Sequence, residues 1–388
     1  KYSFPSWPDR LDSVFPYADF AFANSAIWAD EVANGRSASE QEGLSRLIVV
    51  PKTQKAPRLI AAEPVAHQWC QQVIWSYFKS RYLSQTIGDT SVKLGDFVSF
   101  HDQSGNQRLA RLASVDGSYW TVDLSSASDR LSCRVVERIF RRNPALLNAL
   151  YASRTRYLYQ DIDKRCPSIV RLLKFSTMGS ACTFPVQSHV FLCIALGSTL
   201  YGRGLGVTAR NLAALAGQVR VFGDDIIIPS DTGRYCLEAL GYLSFKVNES
   251  KTYRNGRFRE SCGLEAFAGV EVTPAYFLRP PERTNPESIV SAVASSNNFF
   301  TKGYWAAASA IEKTVPSGLE IPTVGIFSGI MGYSSYCGPD VQSLRKRWNK
   351  GLQREECLVV QAQSRADKRD VSHWGQLLQY FAERPEPD

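Results

Sequence analysis

Soft metal ligands and disulfide-forming patterns are scarce in this chain. It has four histidines, His67, His101, His189 and His373, far apart in sequence, and nine cysteines with no CxxC pair. No zinc-ligand spacing can be assembled from them. The odd cysteine count without a dense framework points to reduced thiols and away from a secreted disulfide scaffold. A long hydrophobic run is also missing. Phe175 to Gly202 carries no formal charge, but Pro185, Gln187, Ser188 and His189 interrupt it, and its purely apolar stretch is Val190 to Leu196. A spanning helix needs about 20 predominantly apolar residues, so a buried core helix is expected there and no membrane partner. Nothing near Lys1 resembles a secretory signal, and there is no internal repeat or long low-complexity tract. Gly202-Arg203-Gly204-Leu205-Gly206 lacks GxGxxG spacing and follows a helix, which argues against a dinucleotide loop.

What is present is a substantial core. The 388 residues are 44% hydrophobic and 12% aromatic, which excludes wholesale disorder. At roughly 100–200 residues per domain, the length predicts two or three packed subdomains. Lys and Arg outnumber Asp and Glu by 45 to 37, a formal charge of +8. That surplus favours a polyanionic partner and equally suits an ordinary protein surface.

The pattern along the chain is mixed. The first 45 residues have no clear period. Leu47 to Val50 reads as a strand entering a loop with Pro51 and Pro57, and Arg46, Lys52, Lys55 and Arg58 occur there without an acid. Such a loop is either a solvated hairpin or a finger that presents positive charge to phosphates. His67 to Leu83 has helical spacing. Tyr119 to Leu124 reads as a strand with Asp123 near its end, followed by a helix reaching about Phe140. Gly179 to about Gly202 reads as a helix. Gln218 to Pro229 has two β-branched arms around Gly223-Asp224-Asp225, a hairpin pattern. Asp231 is placed to cap a helix ending near Tyr242. Ser244 to Tyr253 and Phe258 to Tyr276 look like strands, and the part beyond Pro280 looks mostly helical. Val341 to Asp370 has eight Lys/Arg against four Asp/Glu, half of the net surplus.

The chemistry concentrates on carboxylates. Asp224 and Asp225 adjoin at a hairpin tip, where they repel and nothing in the apolar arms compensates. A divalent cation would offset that cost, and Mg²⁺ takes carboxylate and phosphate oxygens. The bland alternative is an Asp-rich type I′ turn. Asp123, at the end of a separate strand, strengthens the metal reading, because two strands ending in acids can flank a pair of metals about 4 Å apart. Its own alternative is to cap the next helix, a role open to Asp129 as well. Between these acids lies Phe175-Ser176-Thr177-Met178-Gly179-Ser180-Ala181-Cys182-Thr183-Phe184, a loop-to-helix junction able to hold hydroxyls and amides near a sugar or phosphate. Arg345-Lys346-Arg347-Trp348 either tracks an RNA backbone or forms an exposed helix face.

In this order the blocks resemble the motifs of palm-type RNA-dependent RNA polymerases. VPKTQKAPR is similar to motif F, DLSSASD to motif A, STMGSACTF to motif B and FGDDIIIP to motif C, while SFKVNESKTY and FRESCGLEAFAGVEVTPAY look like motifs D and E. DLSSASD, FSTMG and FRESCG with a following GVEVTP are closest to one group, the catalytic β subunit of levivirus (Qβ-like RNA phage) replicases. The resemblance covers Leu44 to about Tyr276. It implies an α+β right-hand polymerase with an antiparallel, RRM-like palm sheet carrying helices on one face, basic fingers and a mainly helical thumb. Fingers are expected over 1–115, the palm over 116–280 with a finger insertion around 141–174, and the thumb with the C-terminal region over 281–388.

The resemblance also implies roles. Asp123 and Asp224 would hold two Mg²⁺ ions, replaceable by Mn²⁺, with Asp225 assisting. Lys52, Lys55 and Arg58 would contact the triphosphate. Ser128, Asp129, Ser176, Gly179 and Thr183 would shape the nucleotide pocket, although the acid falls at Asp129 where many palm polymerases have it at the position of Ser128. Lys251 would act as general acid for pyrophosphate, with Lys246 as its rival. Arg259 and Glu260 would meet the primer strand, or form a structural ion pair. Arg345, Lys346 and Arg347 would contact RNA. Template and nascent RNA, nucleoside triphosphates, host translation elongation factors and a ribosomal protein are the implied partners, in the cytoplasm of an infected bacterium. A first residue of Lys leads to the expectation of a longer natural subunit. A reverse transcriptase and a non-catalytic RNA-binding protein are the competing classes.

Overall fold

The computed structural model describes residues 6–21, 26, 29, 33–34, 41–50, 58–277, 280–319, 321–336 and 345–359. Lys52 and Lys55 lie outside these described residues. The chain forms two compact units, Lys1–Thr273 and Pro274–Asp388.

The first unit begins with an antiparallel hairpin, β1 (Ser45–Val50) and β2 (Arg58–Ala62), followed by the Val65–Tyr77 helix. The Ser104–Asp116 helix, β3 (Tyr119–Val122) and β4 (Leu124–Ser125) come next, then helices at Ala127–Arg130, Cys133–Phe140 and Pro144–Ser153. After β5 (Tyr157–Tyr159) and β6 (Ile169–Arg171), the long Thr183–Gly202 helix leads to β7 (Arg220–Phe222), β8 (Asp225–Pro229) and the Gly233–Tyr242 helix. The unit closes with β9 (Lys246–Val247), β10 (Phe258–Ser261), β11 (Leu264–Phe267) and β12 (Val270–Glu271).

At its centre is a three-stranded antiparallel sheet in the order β3-β8-β7. In β8, Ile226, Ile227 and Ile228 are all fully buried. Successive strand residues point to opposite faces, so three buried isoleucines in a row require cover on both sides. Ile226 and Ile228 join the main core with Val186, Val190, Phe191 and Leu240, while Ile227 packs with Leu109 and Ala110 of the Ser104–Asp116 helix. The expected sheet with helices on one face is thus corrected to a sheet covered on both. The Thr183–Gly202 helix is long and apolar enough to cross a membrane, yet 78% of its most apolar window is buried within the protein. It is a core helix, in line with the polar interruptions of its sequence.

Three local expectations change. The strand at 119–124 divides at Asp123: β3 pairs with β8 up to Val122 opposite Ile226, and β4 pairs with β9 from Leu124 opposite Val247. The following helix also divides, because Leu131 is extended, and Ser132 caps the Cys133–Phe140 helix by accepting from the Val135 N–H at 3.3 Å. Asp231 does not cap the next helix. Its carboxylate pairs with Arg203 at 3.0 Å, and Thr232 occupies the cap position.

The second unit contains the Pro286–Thr301 and Trp305–Glu312 helices, packed against each other, with Ser296 Oγ of the first donating to the Ala308 carbonyl of the second at 3.3 Å. Asn285 caps the first by accepting from the Ser288 N–H at 3.3 Å, and Pro286 suits the first turn. From residue 323 the described residues are strands: β13 (Thr323–Gly325) parallel to β14 (Tyr333–Ser335), and the hairpin of β15 (Lys346–Asn349) with β16 (Arg354–Cys357). The mostly helical reading therefore holds for 286–312 and fails for the described residues between 323 and 359, while 360–388 lie outside the described residues. Lys346 and Arg347 lie on a strand, where they pair across the hairpin with Glu355 and Glu356 at 3.4 and 2.8 Å, and Arg345 precedes it.

Candidate active site

A cleft of about 750 Å³ in the first unit is lined by Asp123, Asp224, Ser128, Asp129, Gly179, Thr183, Arg58 and Lys251, among others. These are eight of the residues singled out in the sequence, drawn from five separate segments. Sheet register brings the acids together: the β3–β8 pairing ends one residue before Asp123, and Phe222 opposite Asp225 leaves Gly223-Asp224 as the hairpin turn. Gly223 has φ +63° and Asp224 is not in the left-handed region. Positive φ at the first turn residue alone fits a II′ turn, not the I′ turn considered from sequence. A Cβ at Gly223 would stand 2.8 Å from the Phe184 ring.

The two adjacent aspartates take different surroundings. Asp224 sits at the tip and faces the cleft. Asp225 begins β8 and accepts a hydrogen bond from Ser261 Oγ at 3.5 Å. It does not line the cleft beside Asp123 and Asp224, the pair it was expected to assist. Burial, and then the charges of Asp224, Glu260 and Asp123, push Asp225 up to about 7. The consequence for stability has a definite sign. A carboxyl raised on folding favours the native state at low pH and loses that contribution as pH rises from about 4 to about 7. Asp225→Asn is expected to stabilise the chain progressively over that window relative to the wild type, by a few kcal/mol at pH 8 and little at pH 4. Denaturant unfolding in EDTA across that range checks it, and a gap that does not vary with pH would refute it.

Asp123 is held by residues that the sequence reading passed over. Asn248 Nδ2 donates to Asp123 Oδ2 at 2.7 Å, and the Asn248 N–H donates to the Asp123 carbonyl at 2.9 Å. Lys251 lies 3.7 Å from Glu260. Burial lowers its affinity for the proton, but Glu260, Asp123 and Asp225 together outweigh that, and the net shift is upward. Lys246 is exposed on β9 and does not line the cleft, so geometry favours Lys251.

The loop at 176–183 is built from behind. Thr183 Oγ1 donates to the Thr177 carbonyl at 2.6 Å, so in its 2.7 Å contact with Ser176 the Ser176 hydroxyl donates. Ser176 thus steadies Thr183 and does not itself face the cleft. Thr177 Oγ1 donates to Glu63 at 2.8 Å, and Thr155 and Gln71 also bond that carboxylate, which burial holds above its ordinary range. Glu63 went unnoticed in the sequence, where Glu-Pro before a helix carries no chemical signature. Gly179 has φ +139°, and a Cβ there would lie 1.9 Å from the Ala61 carbonyl oxygen. Its neighbour Met178 accepts from the Ala61 N–H at 2.7 Å. Asp129 pairs with Lys174.

Arg259 is corrected outright. It is 1% exposed, and its guanidinium donates to the carbonyls of Tyr119, Gly256 and Phe258 at 2.9, 3.0 and 2.8 Å. It locks the hairpin of β10 and β11 to β3 and has no surface for RNA. Glu260, next along the strand, points the other way, to Lys251, so the two are not an ion pair with each other. Arg259→Met should cost about 3 kcal/mol, because it leaves buried carbonyls without donors. Urea unfolding measures this, and a cost under about 1 kcal/mol would contradict the structural role.

Among the described residues, no three Asp, Glu, His or Cys side chains form a group that could hold a metal ion alone. Asp123 and Asp224 fit a hard cation that draws its remaining oxygens from phosphate and water. The negative field that raises Asp225 is also one that a dication would relieve.

The site is thus two carboxylates on paired strand ends, opposite a glycine loop and a lysine, in a mixed helix-and-sheet unit. The RNA replicase, beta-chain family matches residues 18–290, and the chain belongs to that family. It is 36% identical over 234 residues to the RNA-directed RNA polymerase beta chain of Escherichia phage MS2, covering 60% of this chain and 38% of that protein. It is 32% identical over 245 residues to the RNA-directed RNA polymerase subunit beta of Escherichia virus Qbeta, covering 61% and 36%. The matches thus span less than two-fifths of these curated relatives. An RNA-dependent RNA polymerase of a human picobirnavirus, in an insertion-loop deletion form, aligns with TM-score 0.46 and 12% identity over 72% of this chain and 58% of that one.

Proposed function

We propose that this chain catalyses template-directed RNA synthesis as the core of a levivirus RNA-directed RNA polymerase. The observation that carries the reading is the placement of Asp123 and Asp224 on one cleft with Gly179, Thr183, Arg58 and Lys251. On this reading residues 1–115 are the fingers and 116–280 the palm, with the finger insertion at 141–174, and residues 281–388 belong to the thumb and C-terminal region.

In the reaction a terminal 3′-hydroxyl oxygen bonds to the α-phosphorus of a nucleoside triphosphate, and the bond from that phosphorus to the bridging oxygen breaks, releasing pyrophosphate. Asp123 and Asp224 would hold two Mg²⁺ ions, or Mn²⁺, which when bound neutralise phosphate charge and lower the pKa of the attacking hydroxyl. Asn248 orients Asp123 for this. Arg58 contacts the triphosphate from the cleft wall, a role that the motif resemblance also gives Lys52 and Lys55. Thr183 and Ser128 bound the ribose, with Ser176 fixing the Thr183 hydroxyl. Lys251, kept protonated by Glu260, donates a proton to the departing pyrophosphate. Genome replication in the cytoplasm of an infected bacterium, with host elongation factors and a ribosomal protein, is the setting this reading implies.

The test is incorporation of a labelled ribonucleotide on a primed single-stranded RNA. Activity should require Mg²⁺ or Mn²⁺, follow the template base and favour ribo- over deoxyribonucleotides. Template-independent addition, or a preference for deoxyribonucleotides, would overturn it.

A further inference from the structure

A second groove of about 850 Å³ lies in the first unit and shares no lining residue with the cleft. It is lined by Arg134, Glu137, Arg138, Val135 and Ile139 of the Cys133–Phe140 helix and by Tyr242 and Leu243 at the end of the Gly233–Tyr242 helix. Arg134 and Arg138 are four residues apart and share one helix face. Both are exposed, and so are Arg130, Arg141 and Arg142 beside them. Arg130 donates to the Ser244 carbonyl at 3.2 Å, on the opposite rim. The acid of this helix, Glu137, accepts from Tyr151 Oη at 2.7 Å. The Tyr242 ring is 92% exposed. No role in the cleft chemistry uses any of these residues.

We propose that this groove is an accessory site for single-stranded RNA. The arginines supply a phosphate track, and Tyr242 with the apolar floor supplies a stacking surface for a base. A duplex would offer only its backbone to the ring, because its base faces are already stacked. A groove of this volume accommodates a ligand of nucleotide size. The site lies outside the cleft, and its test needs no catalysis, so it stands or falls separately from the polymerase reading.

The experiment is fluorescence anisotropy of the chain with an end-labelled oligouridine of about twelve nucleotides, within single-strand site sizes, in EDTA over a salt series. Replacing both Arg134 and Arg138 with Glu should weaken binding about tenfold or more and lower the slope of log K against log salt by about 1.4, at about 0.7 per phosphate. Lysine at both positions should retain most of the affinity, which separates charge from misfolding. Tyr242→Ala should weaken binding about fivefold or more without changing the salt slope. Extension of a short self-priming RNA hairpin should be the same in all variants. Unchanged RNA affinity in the glutamate variant overturns the proposal. Displacement of the RNA by polyglutamate with no effect of Tyr242→Ala also overturns it, in favour of an acidic protein partner.

Discussion

Asp224→Asn is expected to abolish nucleotide addition while the chain stays folded and still binds RNA. The substitution keeps the size of the side chain and removes one charge at the tip of the β7–β8 turn, whose backbone takes its positive φ at Gly223. Loss of metal-assisted charge neutralisation is worth several kcal/mol, and each 1.36 kcal/mol is about tenfold in rate. A fall of about a thousandfold or more follows. Asp225→Asn should lose far less, since Asp225 turns to Ser261 and does not face the cleft. Single-nucleotide extension of a primed template by both variants makes the comparison. Equal losses, or an Asp224→Asn rate within about tenfold of wild type, would remove Asp224 from the proposed role.

The second large effect is on the protein's integrity. Gly179→Ala is expected to destabilise the first unit by about 4 kcal/mol, combining backbone strain with overpacking. The obstacle is the Ala61 carbonyl, a backbone atom of β2 that cannot swing aside as a side-chain tip can. The damage should be local and measurable as a lowered unfolding midpoint. It should also break the hydrogen bond to the Met178 carbonyl and so speed hydrogen exchange at the Ala61 N–H. Gly223→Ala is a useful contrast, because its Cβ meets the edge of an aromatic ring. A Gly179→Ala protein as stable as wild type would mean that the loop and β2 are not coupled as described.

The central sheet and its acids were legible in the sequence, because β-branched runs around Gly-Asp-Asp and before Asp123 carry local information on strand and turn. The Thr183–Gly202 helix was legible for a similar reason, its apolar run being too long for a strand and too interrupted for a membrane. What escaped depends on contacts remote in sequence. Asn248 reaches Asp123 across the β4–β9 pairing, Glu63 receives Thr177 from more than a hundred residues away, and the Ser104–Asp116 helix is needed only once Ile227 faces it. Arg259 was misread because a cation beside an acid looks like an exposed pair, and burial under backbone carbonyls leaves no trace in composition. The strands beyond 323 are short, and the hairpin at 346–357 is held by crossed ion pairs instead of an apolar alternation.

The hydrogen bond from Ala61 to Met178 makes β2 and the glycine loop a single piece of architecture, although some 115 residues of sequence separate them. Such pieces set the rules for recombination between related chains. A hybrid that takes residues 45–62 from one parent must take 176–183 from the same parent, because the oxygen of one segment fills the space that a glycine in the other leaves open. The seam between two such parents belongs after residue 202 or before residue 45, not between the two segments.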